Sequence, residues 1–88
     1  MKILLTKRFI KESKLLPYPK QEKLAELLEL LQLDPYHPKL HTKKLSSPLL
    51  GIMSFRVGRD YRALFMFENK ETIKLIRVKH RKDIYKNL

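Results

Sequence analysis

The second half of the chain narrows the choice of folds further than any other part of the sequence. Three strand-like runs follow one another there, IMSFRVG, YRALFMFE and TIKLIRVK, all rich in β-branched and aromatic residues. Short turns separate them at residues 58–60, where a glycine supplies the unusual backbone angles, and at residues 69–71. Consecutive strands joined by turns this short pair antiparallel, so the pattern predicts an antiparallel meander.

The first half predicts one short strand and two helices. The strand is KILL, at residues 2–5, and Thr6 is placed to cap a first helix that Pro17 ends. A second helix carries leucines at i, i+3, i+4 and i+7 spacing, namely Leu24, Leu27, Leu28 and Leu31. Pro35 ends that helix, and residues 36–50 are polar enough to be predicted as a loop.

These elements together predict an α+β fold. We expect a mostly antiparallel four-stranded sheet with an N-terminal helical hairpin packed on one face. The expected order is β-α-α-β-β-β, followed by a short C-terminal tail. Because 88 residues are too few to give each of two domains a core, we expect a single domain over residues 1–88.

The charge of the chain predicts its partners. Twenty Lys and Arg residues against nine Asp and Glu residues give a formal net charge of +11. A domain this basic repels itself when compact, which predicts a polyanion or an acidic protein as its partner. The chain has no cysteine, its three histidines are scattered and its carboxylates do not cluster, so we expect no metal and no cofactor. No apolar run approaches the ~20 residues of a membrane span, and we expect a cytoplasmic protein without a membrane partner.

Alternation along the strands brings several cations together. Arg56, Arg62 and Arg81 come from three neighbouring strands and are expected to converge on one patch. Lys43 and Lys44, in the predicted loop, can reach the same region.

Alternation also sorts the last strand into two faces. It groups Leu75 with Arg77 on one face and Val78 with His80 on the other. His80 and Arg81 are therefore expected to point in opposite directions, unless the strand ends before them.

The motifs SFRVGRDYRALF and VKHRKDIY, together with LDPYHPKLHTKKL, resemble the RelE/ParE superfamily of toxins from type II toxin–antitoxin systems. The resemblance runs nearly end to end and is strongest to the RelE-like branch. It implies an antiparallel sheet carrying two helices. It also implies an endoribonuclease that cuts messenger RNA (mRNA) on the ribosome without a metal. In that reaction the 2′-hydroxyl attacks the adjacent phosphate, leaving a cyclic phosphate and a free 5′-hydroxyl.

The resemblance implies roles for individual residues as well. Arg62 matches the arginine that clamps the phosphate, Arg56 matches a basic position, and Arg81 matches an active-site position held by arginine or histidine. Tyr85 matches an aromatic residue that stacks on a base or transfers a proton, and Asp60 matches a position that is acidic and functional in one branch. Further RNA contacts are expected from Lys43, Lys44, Arg59, Lys79 and Lys82.

The general base is left open by these motifs. The prototype of the branch spaces its arginine and tyrosine more widely than Arg81 and Tyr85 and lacks the adjacent histidine. By its chemistry His80 is the natural candidate, because histidine is the residue type that exchanges protons near neutral pH. Tyr85 is the second candidate.

Two other functions compete with RNA cleavage. ParE-like toxins of the same superfamily inhibit DNA gyrase, and a basic domain of this size can also bind RNA or ribosomes without cutting. Whether the toxin cleaves RNA or inhibits gyrase, we expect an acidic antitoxin that wraps the domain and masks its arginines. We expect a monomer when the protein is free, and a higher assembly only with the antitoxin.

Overall fold

The computed structural model describes residues 1–87, and within them a five-stranded sheet accompanies two helices. The elements are β1 (Lys2–Leu5), α1 (Lys7–Lys14), α2 (Tyr18–Leu33), a 3-10 turn (Pro38–Leu40), β2 (Lys43–Lys44), β3 (Met53–Val57), β4 (Tyr61–Asn69) and β5 (Thr72–His80). The strand order is β1-β5-β4-β3-β2, with β1 parallel to β5 and the other neighbours antiparallel. The α+β class and the two helices ahead of the meander are confirmed.

The sheet has one strand more than the sequence pattern predicts. Lys43 and Lys44, which that pattern places in a loop, form β2 and pair with Ser54 and Met53 of β3. Both lysines are exposed and the strand is two residues long. No apolar alternation can develop over such a length, so this strand carries no periodic signal.

Thr6 connects β1 to α1 and to the later part of β5. Its Oγ1 accepts a hydrogen bond from the backbone N–H of Phe9 (3.1 Å), which caps α1, and donates one to the carbonyl of Ile76 (3.1 Å). The pairing of β1 with β5 reaches only to Leu75. Beyond that point α1 takes over the edge and packs against the remainder of β5.

The core lies between the helices and one face of the sheet. Its aromatic members are Phe9 of α1, Phe55 of β3 and Phe65 of β4, with the last two rings 6.0 Å apart between centroids. Helix α2 contributes the buried residues Leu24, Leu27 and Leu31. None of the helices within residues 1–87 is long and apolar enough to cross a membrane.

A bulge in β5 overturns the facial assignment that simple alternation gives to this strand. Leu64 pairs with Arg77 whereas Phe65 pairs with Leu75, so Ile76 is an extra residue between them. The bulge shifts the alternation by one position. Leu75 and Val78 both enter the core, and Arg77 lies on the opposite face from Leu75.

The C-terminal tail is held by a buried ion pair. Arg77 Nη2 lies 2.8 Å from Glu12 Oε2, and the two side chains are only 4% and 8% exposed. Glu12 also accepts a hydrogen bond from the backbone N–H of Val78 (3.2 Å). It therefore provides a partner for a backbone group of β5 that lies beyond the pairing with β1. Arg77 donates in addition to the carbonyls of Ile84 and Lys86, and Ile84 is fully buried. The tail is therefore a fixed part of the fold.

Candidate functional site

A cleft of about 460 Å³ opens beside the turn between β3 and β4. It is lined by Gly58 and by Lys23, Lys39, His41, Arg56, Arg59, Arg62 and Arg81. None of the described residues that line it is acidic. We refer to these residues as the cationic cleft.

Strand pairing positions the arginines of the cationic cleft. Arg56 of β3 is directly opposite Arg62 of β4, and residues paired across antiparallel strands point to the same face. Arg81 follows the last residue of β5, and its backbone N–H donates to the carbonyl of Asp60 (2.7 Å). This bond ties the start of the tail to the β3–β4 turn. Arg56, Arg62 and Arg81 therefore line one cleft, as the sequence predicts.

The turn itself depends on Gly58. Its φ of +73° lies in the left-handed region, where glycine is favoured. A Cβ built on Gly58 would lie 2.7 Å from Lys20 Nζ, so this lysine of α2 extends over the turn. Lys20 and Lys23 are one helical turn apart, which brings the N-terminal half of α2 to the cleft.

Lys39 of the 3-10 turn and His41, which directly follows that turn, also line the cleft. Leu40 between them is fully buried and anchors the turn in the core. Lys39 and His41 are exposed, and His41 has a left-handed backbone with φ 52°.

Arg62 is the most constrained of the cleft cations. Its Nη1 donates to the carbonyls of Arg59 (2.9 Å) and Tyr61 (2.9 Å), which fixes the guanidinium group in place. Burial, followed by repulsion from Arg56 and Arg81, lowers the pKa of Arg62 below its usual range. The guanidinium stays protonated at neutral pH, but its charge is destabilised by its surroundings. An anion bound in the cleft would relieve that repulsion.

Asp60 and Tyr85 act in the opposite direction on Arg62, because both raise its pKa. Asp60 Oδ1 lies 3.7 Å from Arg81 Nε, and the two side chains are about half exposed, at 48% and 51%. A pair this accessible is weak and opens readily. Tyr85 is 50% exposed and does not line the cleft itself.

His80 lies outside the cationic cleft. Its ring packs edge-on against Tyr61 with 5.3 Å between ring centroids, and its Nδ1 accepts the backbone N–H of Lys82 (3.1 Å). The hollow that it lines is a different one, shared with Glu12 and Asp83.

The expected RNA-binding residues are divided between the cleft and the surrounding surface. Arg59 lines the cleft, whereas Lys43 and Lys44 are exposed on β2 and do not line it. Lys79 Nζ lies 3.9 Å from the buried Glu12, and Lys82 is exposed on the tail.

Sequence reasoning did not single out Lys23 or His41 as site residues. By its spacing Lys23 belongs to the solvent face of an amphipathic helix, which is where lysines ordinarily lie. His41 belongs to a polar loop. A charge count could have flagged the region of His41, because the loop between the second helix and β3 carries several basic residues and no acidic residue after Asp34. It gives no such signal for Lys23, because the second helix has three glutamates against two lysines.

The arrangement as a whole is suited to phosphate groups. Guanidinium groups bind two phosphate oxygens at once, and cations fixed before the ligand arrives stabilise negative charge that develops on it. Across residues 1–87, no three His, Cys, Asp or Glu side chains come together as a metal site.

Comparison with known proteins gives the family. Residues 3–85 match the model of a family described as the ParE toxin of type II toxin–antitoxin systems, parDE. The chain belongs to the ParE toxin family. The resemblance of its motifs to RelE/ParE toxins is thereby confirmed. A search of curated protein sequences gave no significant match.

Solved structures of other toxins share the fold. YafQ from Escherichia coli strain BL21(DE3) superposes with a TM-score of 0.80 at 19% identity, covering 96% of this chain and 97% of YafQ. A YoeB/ParE toxin from Agrobacterium tumefaciens gives 0.79 at 15% identity, with 91% and 98% covered. The archaeal RelE–RelB complex from Pyrococcus horikoshii OT3 gives 0.76 at 23% identity, with 93% and 96% covered.

Proposed function

We propose that this toxin is an endoribonuclease that cleaves mRNA on the ribosome. In the proposed reaction the 2′-hydroxyl attacks the adjacent phosphate and the 5′ oxygen departs. The observation that carries the proposal is the convergence of Arg56, Arg62 and Arg81 in the cationic cleft. The phosphate gains negative charge in the transition state, and fixed guanidinium groups aimed at that charge lower the barrier.

Arg62 is the proposed phosphate clamp. Two backbone carbonyls hold its guanidinium group, so little motion is lost when the phosphate arrives. Burial, followed by repulsion from Arg56 and Arg81, disfavours its charge, and a bound phosphate would remove part of that penalty. The scissile group is thus drawn to the point where the three arginines meet.

Asp60 and Tyr85 are proposed to support this step from the border of the cleft. Asp60 holds Arg81 through an exposed pair that an RNA phosphate can displace. Tyr85 is proposed to stack on a base or to give a proton to the departing 5′ oxygen, and its half-exposed side chain is accessible to RNA. Its buried neighbour Ile84 fixes the tail from which it projects.

Exposed lysines beyond the cleft are proposed to contact ribosomal RNA. Lys43 and Lys44 on β2 and Lys82 on the tail are all exposed. Contacts of this kind orient the toxin on a polyanion without reading its sequence. They would present the cationic cleft to the mRNA.

An acidic antitoxin is the proposed partner that keeps the toxin inactive. The net charge of +11 favours an acidic segment laid over the arginines. The solved structures that share this fold include toxin–antitoxin complexes, among them RelBE2 from Mycobacterium tuberculosis and RelE–RelB from Pyrococcus horikoshii.

Gyrase inhibition is the second candidate function. It is favoured by one observation, the match of residues 3–85 to the ParE family. A gyrase inhibitor uses the cations to bind and leaves RNA intact, so the fate of the messages separates the two functions.

Induced expression followed by primer extension of cellular mRNA tests the proposal. We expect the wild-type toxin to produce cuts within translated codons, and the Arg81→Ala/Tyr85→Ala double variant to produce none. Growth arrest with intact messages would overturn RNA cleavage and favour gyrase, which a supercoiling assay would then check. Intact messages without arrest would favour a non-catalytic binder.

A further inference from the structure

His41 occupies an uncommon backbone conformation beside the cationic cleft. Its φ of 52° is left-handed, a region that non-glycine residues seldom adopt and in which Asn, Asp and His are enriched. The conformation is held from both sides. The backbone N–H of His41 donates to the carbonyl of Pro38 (3.2 Å), and Thr42 Oγ1 donates to the carbonyl of Pro35 (2.5 Å). Left-handed residues held in this way concentrate at functional sites.

The chemistry of the cleft lining singles out the same residue. Apart from Gly58 and His41, every described residue that lines the cleft is a lysine or an arginine. Lys39 lies in the 3-10 turn that His41 directly follows. The cations that line the cleft from other elements are Lys23 (α2), Arg56 (β3), Arg59 (the β3–β4 turn), Arg62 (β4) and Arg81 (the tail). Lysine and arginine side chains are hydrogen-bond donors without an acceptor atom. An imidazole can accept a proton.

We propose that His41 is the general base of the cleavage reaction, an inference that rests on the proposed function. An imidazole nitrogen of His41 takes the proton of the 2′-hydroxyl while the bond between the 2′ oxygen and phosphorus forms. The bond between phosphorus and the 5′ oxygen breaks, and the 5′ oxygen takes a proton from the Tyr85 hydroxyl. Exchange with water then returns both side chains to their starting states. The products are a 2′,3′-cyclic phosphate and a 5′-hydroxyl.

The sharpest variant is His41→Asn. Asparagine tolerates the left-handed backbone, so the turn is kept while the base is removed. His37→Asn is the matched control at the other end of the same turn. There the His37 Nδ1 caps the backbone N–H of Lys39 (3.1 Å), and asparagine also caps well. His80→Asn tests the alternative, because His80 is the other histidine expected as a candidate general base.

The experiment measures single-turnover cleavage of mRNA on programmed ribosomes between pH 5.5 and 8.5. Wild-type cleavage should rise with pH at the acid end of this range, by up to about tenfold per pH unit, and then level off once the base is deprotonated. His41→Asn should cleave at least about 100-fold more slowly and lose that slope. Its affinity for the same mRNA with a 2′-deoxy nucleotide at the cleaved position should stay within about twofold, since the base acts on the hydroxyl rather than on the phosphate.

Each contrary result has a separate meaning. If His41→Asn keeps the wild-type rate, or if its slower cleavage keeps the wild-type slope, His41 is not the base and RNA cleavage stands. If His80→Asn loses the slope while His41→Asn retains it, the base is His80. If the wild-type toxin leaves both ribosome-bound and free mRNA intact, the proposed function fails and the inference fails with it.

Discussion

At Arg62 two physical requirements oppose each other. The side chain is partly buried beside two other guanidinium groups, and both burial and repulsion lower its pKa. The charged form of Arg62 is therefore less favourable in the folded state than in the unfolded chain. Because Arg62 is charged at neutral pH, this difference lowers the stability of the fold. Binding of a phosphate requires that same charge.

Replacing Arg62 with glutamine should therefore separate stability from activity. We expect Arg62→Gln to lower the rate of mRNA cleavage by about 100-fold, since one fixed charge donor is lost. Its melting temperature should equal or exceed that of the wild type, because repulsion from Arg56 and Arg81 is relieved. Circular dichroism melting beside the cleavage assay provides both values. A variant that loses activity only because it melts earlier would contradict this account of Arg62.

The arginine cluster could be predicted from sequence, but the full lining of the cleft could not. Arg56 and Arg62 flank a hairpin turn, so local pairing alone brings them together. Lys23 and His41 reach the cleft through the packing of α2 and of the 3-10 turn against the sheet. Such placement depends on long-range contacts that no periodicity encodes.

The junction of α1, β5 and the tail depends on one buried charge pair. Glu12 neutralises Arg77 and caps the N–H of Val78, while Arg77 holds the carbonyls of Ile84 and Lys86. Removal of Arg77 leaves the buried Glu12 with only its longer contacts to the more exposed Arg8 (3.8 Å) and Lys79 (3.9 Å), which is far less favourable than loss of an exposed pair. The tail that carries Tyr85 depends on this junction.

Substitution of Arg77 by methionine should lower the free energy of unfolding by about 3–5 kcal/mol. The matched control is Lys86→Met, which breaks an exposed pair with Asp83 and should change stability by less than about 1 kcal/mol. Urea unfolding monitored by circular dichroism measures both. The Glu12→Met/Arg77→Met double variant should recover much of the loss, because no isolated charge is left buried. Equal losses for Arg77→Met and Lys86→Met would contradict the role given to the buried pair.

Two features of the strands escape periodic patterns for different reasons. The bulge at Ile76 is one extra residue inside an otherwise regular strand, and it reverses the faces of every position after it. β2 is too short to alternate. In contrast, the longer strands β3, β4 and β5 and both helices could be predicted, because their apolar residues recur at strand or helix spacing along the whole element.

The excess of positive charge over the protein as a whole does not reveal where RNA binds. The 20 basic residues are spread over both helices and all five strands, and only some of them line the cleft. Each phosphate that a bound protein neutralises releases counterions, so the salt dependence of affinity counts the cations in contact. A comparison of cleft and non-cleft lysines therefore locates the binding surface.

Lys23→Gln should make the plot of log affinity against log salt concentration less steep by about 0.7, the value for one phosphate contact on single-stranded RNA. Lys14 is exposed on α1 and does not line the cleft, so Lys14→Gln should leave the slope unchanged. Fluorescence anisotropy with a short single-stranded RNA measures both slopes. A drop of the same size in both variants would mean that binding is spread over the surface rather than centred on the cleft.

The most direct test of the central claim is the chemistry of the RNA ends. Purified toxin is mixed with ribosomes that carry a defined mRNA, and the fragments are analysed for their terminal groups. Cleavage by 2′-hydroxyl attack predicts a 2′,3′-cyclic phosphate on one fragment and a 5′-hydroxyl on the other, with both formed about 100-fold more slowly by Arg62→Gln. Intact mRNA with the wild-type toxin, or fragments that carry 5′-phosphates, would contradict the claim that the cationic cleft performs this reaction.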